Sequence, residues 1–87
     1  MASGEATAMD LMKAQWPDIG RAFAPFFQGL MKEGALTVKQ KELMALAIGV
    51  AIRCEPCIEA HVVKARKAGA SDAEMMEAAG VAGMMGG

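Results

Sequence analysis

Nowhere in this 87-residue sequence do apolar and polar residues alternate with a period of two, the pattern of a half-buried strand. Apolar residues return instead at three- and four-residue intervals, between helix start and stop signals. Such a chain can build helices packed on helices and little else. The kinds of apolar residue agree. There are 18 Ala and 9 Met, while Val, Ile, Leu, Phe and Trp together supply 18 and Tyr is absent. Small side chains let helix backbones approach closely, and Met fills irregular gaps. A sheet would favour β-branched and aromatic residues. The reading is one all-α domain of about five helices over residues 1–87, with residues 1–5 frayed. So much apolar surface on so short a chain is hard to cover, and oligomerisation is one remedy. A homo-oligomer is therefore expected.

Local signals place the helices. The first runs from Thr7 or Ala8 to Gln15, ended by Pro17, because the residue before proline is pushed out of the α region. A second spans Asp18 to Lys32, with a kink or break expected at Pro25 and a stop at Gly34. Thr37 and Gln40 form a capping box for a third helix, Val38 to about Arg53. That helix is apolar all round from Leu43 and reads as the central buried one. A fourth begins around Cys54 to Pro56 and reaches Ala68, with Ile58, His61, Val62, Ala65 and Ala68 on one face. Lys64, Arg66 and Lys67 complement the dipole at its end, and Gly69 terminates it. Ser71 and Glu74 box the start of a fifth helix, Asp72 towards Met85. Ala78, Ala79, Gly80, Ala82 and Gly83 give it a smooth face for close packing. Trp16, Phe23, Phe26 and Phe27 read as core, and Met84 and Met85 as contacts to another subunit.

Charge narrows the function. Nine basic residues against ten acidic ones give a net charge of −1, and no basic stripe interleaves with aromatics. Nucleic acid is excluded as a partner on that ground. The longest uncharged apolar run, Leu43 to Ile52, has ten residues, half the ~20 a membrane span needs. No membrane partner is expected. The first ten residues, MASGEATAMD, hold two acids, no base and no apolar stretch, unlike a secretory signal. The expected location is the cytoplasm.

The only cysteines are Cys54 and Cys57. A disulfide between them would close a very short loop and make a poor structural staple. Their spacing fits redox chemistry or metal binding. The stretch C-E-P-C-I-E-A-H puts Cys54, Cys57 and His61 on successive turns at a helix start, where the dipole and unpaired N–H groups favour a thiolate. His61 lies one turn from Cys57 as a proton acceptor. A carboxylate would orient it, and Glu42 is the best placed by sequence. One thiolate attacks, the other resolves, and a disulfide stores the two electrons. The rival is a zinc or other metal site built from Cys54, Cys57, His61 and Glu42. Three of those four residues fall within one helix, whereas structural zinc sites draw on two segments, so redox leads. Glu55 and Glu59 oppose thiolate formation slightly, and Arg53 is a neighbouring cation that offsets them.

The pattern Glu42, Cys54, Cys57, His61 resembles the alkylhydroperoxidase D-like proteins of the carboxymuconolactone decarboxylase superfamily. The resemblance extends through Trp16-Pro17, Phe23, G-A-L-T, K-Q-K-E-L-M-A-L-A, A-I-R-C-E-P-C-I-E-A-H, K-A-G-A-S-D-A-E-M-M-E-A and the terminal M-M-G-G. It implies an all-α fold, trimers or hexamers, and a cysteine pair that reduces a hydroperoxide and is regenerated by a dithiol or protein reductant. No cofactor and no bound metal are expected. Cys57 matches the family's peroxide-attacking cysteine, Cys54 its resolving partner, and Glu42 and His61 the proton relay. The best-studied members carry a histidine just before the second cysteine, where this chain has Pro56. That departure makes the pair look more like a general dithiol–disulfide centre. Members that decarboxylate γ-carboxymuconolactone lack the cysteine pair.

Overall fold

Five helices account for most of the chain in a computed structural model, which describes residues 8–86: α1 (Ala8–Gln15), α2 (Pro17–Leu30), α3 (Val38–Ala51), α4 (Glu55–Lys67) and α5 (Asp72–Gly86). No strand occurs among the described residues. The expected fraying at residues 1–5 lies outside them. The chain divides into two units, the first ending at Met31 and the second beginning at Lys32.

In the first unit α1 packs on α2 at Gly20, where a Cβ would come within 2.9 Å of the Lys13 Cα. Pro25 does not break α2, which runs continuously from Pro17 to Leu30. Pro25 is exposed, and so is Arg21, whose carbonyl it leaves without a donor, so water can satisfy that group. The aromatic set is not a buried core. Phe23 and Phe27 are half-buried with ring centroids 6.1 Å apart, but Trp16 and Phe26 are each 63% exposed. Two paired helices bury only one stripe apiece, and both residues fall outside it.

The second unit is organised by α3, which packs on both α4 and α5. Its start is fixed by the expected capping box: Thr37 Oγ1 accepts from the Gln40 amide at 3.0 Å, and Gln40 returns the bond to the Thr37 amide at 2.8 Å. The Ser71–Glu74 box at the start of α5 closes in the same way. Lys39 then ties Glu74 to α3 through a 2.9 Å ion pair. Leu46, Ala65, Ala70 and Met75 form the buried core, with Leu43, Val50, Ile58 and Val62 packed against it.

Two expectations fail here. α3 is central but not wholly buried: Met44, Ile48 and Ile52, four residues apart, form an exposed row. Two partner helices cannot surround a third. On α5 the packed residues are Met75, Ala82 and Gly86, the last against Ala51, whereas Gly80 and Gly83 face open space. Met84 and Met85 are exposed.

Candidate functional site

The turn from α3 into α4 builds the site. Helix α3 ends with Ile52 as its C-cap, after which Arg53 adopts a left-handed conformation at φ 57°. The Cys54 amide donates to the Gly49 carbonyl at 2.9 Å, and the Arg53 amide to the Val50 carbonyl at 3.1 Å. These two bonds define a Schellman cap, which needs its left-handed residue at position 53. The next residue out of that cap, Cys54, is at once the N-cap of α4. Its sulfur accepts a hydrogen bond from the Cys57 amide at 3.3 Å. Pro56 sits in the first turn, where a missing N–H costs nothing.

Cys54 and Cys57 are joined as a disulfide, with Cα atoms 5.2 Å apart. Both are half-buried. Cys57 lies against the backbone of α3: a Cβ on Gly49 would stand 3.2 Å from the Cys57 Cβ. Gly49 therefore meets both cysteines, one through its carbonyl and the other through its missing side chain.

One turn beyond Cys57, His61 Nδ1 lies 2.7 Å from Glu42 Oε1 of α3. The side chains of His61 and Glu42 are 19% and 8% exposed, so the contact is shielded from water. Lys39 and Lys41, which flank Glu42 in sequence, are turned elsewhere: Lys39 to Glu74, Lys41 to the Lys32 carbonyl. With Glu42 a carboxylate, it can only accept, so Nδ1 carries the hydrogen and Nε2 is left as the acceptor. A charge-assisted bond of this kind fixes the ring's tautomer and orientation.

The structure thus pairs Glu42 with His61 across α3 and α4 and joins Cys54 to Cys57 at the start of α4, one helical turn before His61. Sequence reasoning missed Gly49 and the conformation of Arg53. A glycine in the middle of the apolar run Leu43–Ile52 was the available signal for the first, since it costs a helix about 1 kcal/mol unless a close approach needs it. Nothing in the sequence marked the second. Beside the site, on the α4 face one residue round, a cavity of about 300 Å³ opens between Leu46, Val50, Ile58, Val62, Met75, Met76 and Ala79, with Arg66 and Asp72 also lining it. Among the described residues, no group of three or more His, Cys, Asp and Glu side chains is arranged to hold a metal ion. Formation of the disulfide withdraws both sulfurs from metal ligation, and His61 Nδ1 is spent on Glu42.

Chemically, the set offers a two-electron centre that opens to a dithiol and closes again, with a shielded proton acceptor one turn away.

Comparison with known proteins gives the site its context. The sequence pattern of the carboxymuconolactone decarboxylase family matches residues 17–87. A protein of the cox locus of Paracoccus denitrificans is 39% identical over 67 residues, covering 77% of this chain and 60% of that one. A Haemophilus influenzae protein is 41% identical over 51 residues, covering 59% of this chain and 45% of its own length. The chain thus spans about half the length of these relatives. A crystal structure from Methanobacterium thermoautotrophicum superimposes with a TM-score of 0.76 at 35% identity, covering 83% of this chain and 81% of that one. A carboxymuconolactone decarboxylase family protein of Thermotoga maritima, for which a part in the antioxidative response has been suggested, gives 0.71 at 39% identity, with 77% and 69% covered.

Proposed function

The chain belongs to the carboxymuconolactone decarboxylase family, among its alkylhydroperoxidase D-like members, and from that premise we propose that it is an antioxidant dithiol oxidoreductase that reduces hydroperoxides. The observation that carries this reading is the shielded Glu42–His61 contact one helical turn from the Cys54–Cys57 disulfide.

The cycle starts from the reduced pair. A thiolate attacks the terminal oxygen of ROOH, the O–O bond breaks, and ROH leaves with one proton, so that the sulfur becomes a sulfenic acid. The second thiol attacks that sulfur, the S–S bond forms, and water departs with the remaining proton. Two electrons pass from the sulfurs to the peroxide, giving ROH and water. His61 Nε2 moves the protons, and Glu42 holds the ring and balances the imidazolium when it is charged. A dithiol or protein reductant then opens the disulfide. A centre that must return to its dithiol form suits the reducing cytoplasm. Among the described residues no helix is long and apolar enough to cross a membrane.

The exposed row Met44, Ile48 and Ile52, with Met84 and Met85, supports assembly of the chain into a trimer or hexamer.

The test is peroxide consumption with a dithiol reductant. It should stop in Cys54→Ser and in Cys57→Ser. Full activity in both variants would remove the mechanism.

A further inference from the structure

Two helices of this chain end in the same motif and differ at its one demanding position. At the end of α4 the Ala70 amide reaches the Ala65 carbonyl at 2.9 Å and the Gly69 amide the Arg66 carbonyl at 3.0 Å, with Gly69 at φ 98°. At the end of α3 the same pair of bonds is made by Cys54 and Arg53. There the left-handed residue is an arginine at φ 57°, the one non-glycine residue with positive φ among the described residues. A side chain in that conformation is strained, and glycine is not. The fold therefore uses glycine where the cap is only a turn, and accepts strain where the turn delivers Cys54.

Strain held at a position next to reacting atoms points to a use for the side chain. Arg53 is exposed, and its side chain makes no hydrogen bond or ion pair among the described residues. Its geometric service could be given by glycine, so what it adds is charge. The other ionisable groups around the pair are mixed. Helix α4 brings Glu55 and Glu59, both exposed, and His61, while α3 brings Glu42, which is engaged with His61. The half of α5 that reaches Ala51 carries no charge after Glu77. Two exposed acids close in sequence to the cysteines disfavour a thiolate, and Arg53 is the cation nearest in sequence to oppose them.

The geometry points to Arg53 as the residue that holds the reduced pair in its thiolate form, acting on Cys54 through its charge. This rests on the reading that the pair works through a thiolate, and not on which oxidant it meets. A unit charge that comes within about 6 Å of a thiol in near-aqueous surroundings moves its midpoint by about half a pH unit, about threefold in thiolate fraction.

The test uses the full chain carrying Cys57→Ser, so that Cys54 is the sole thiol. The rate of iodoacetamide alkylation is followed against pH, with Arg53 intact and as Arg53→Gly and Arg53→Lys. Arg53→Gly should raise the alkylation midpoint by about half a unit and slow the reaction at neutral pH about threefold, while its melting temperature stays level or rises. Arg53→Lys should keep the arginine profile, and added salt should shrink the difference between Arg and Gly. A midpoint unchanged in Arg53→Gly would overturn the proposal, as would Arg53→Lys behaving like Arg53→Gly. Alkylation reads the thiol whether or not a peroxide is the substrate. A protein that fails to consume peroxide thus leaves this result standing.

Discussion

Gly49→Ala is the substitution that most sharply separates seating the cysteine pair from merely holding the fold. The new Cβ would stand 3.2 Å from the Cys57 Cβ, 3.5 Å from the Ile58 nitrogen and 3.6 Å from the Cys57 carbonyl carbon. Carbon atoms pack best at about 3.5–4.0 Å, so the first turn of α4 must retreat by a few tenths of an ångström. It is not free to do so, because the Cys54 amide is bonded to the carbonyl of the same Gly49 at 2.9 Å. Two energies then compete. Alanine is favoured over glycine inside a helix by about 0.8–1.0 kcal/mol. Overpacking a dry contact costs about 1–3 kcal/mol. The net loss is about 0–2 kcal/mol, which lowers the melting temperature of so small a protein by no more than about 15 °C. Catalytic geometry is less forgiving, since a misplacement of about 1 Å can cost about a hundredfold. A shift of a few tenths should cost about tenfold in peroxide turnover. Thermal unfolding by circular dichroism and peroxide consumption, measured on the same sample, give the two numbers. Wild-type turnover in a folded Gly49→Ala protein would refute the claim that the α3 backbone seats the pair.

Further outcomes follow from the same geometry. Glu42→Gln keeps an acceptor for His61 Nδ1 but removes the charge that balances an imidazolium. Peroxide turnover should fall about a hundredfold or more, with a loss of about 1–2 kcal/mol in urea unfolding. Leu46→Ala, at a position 3% exposed in the core, should cost about 2–5 kcal/mol by denaturant titration. Ile48→Glu changes an exposed residue in the α3 row, so it should leave the chain's helicity intact while dissociating the proposed homo-oligomer on light scattering. Glu74 is held below its ordinary value of 4.5 by the Ser71 amide first and the Lys39 ammonium second. Its contribution to stability is therefore complete above that value and fades as the pH falls through the lowered one. Glu74→Gln should flatten the acid limb of a stability–pH curve.

What could be read from the sequence was local. Both capping boxes, the stop at Gly69 and the bounds of α4 and α5 come from residues within a few positions of one another, and the backbone there has few alternatives. The grouping of Glu42 with the C-x-x-C helix was also legible, through spacing and a familiar pattern. The misreadings concern what lies beyond one helix. That α3 leaves Met44, Ile48 and Ile52 uncovered depends on how many helices surround it, and an apolar run looks the same either way. A break was one of the two effects expected of Pro25, and its position on an exposed face lets α2 continue through it. Gly49 and Arg53 matter because two helix ends meet there, and neither periodicity nor propensity records such a meeting.

The proposed function stands on a two-electron exchange between a peroxide and this cysteine pair. Fully reduced protein treated with one equivalent of hydroperoxide should lose two free thiols and two mass units per chain. Peptide mapping should then show the Cys54–Cys57 disulfide, and one equivalent of the alcohol should appear. Unchanged thiols, or oxidation of one cysteine to sulfinic acid with no disulfide formed, would contradict it.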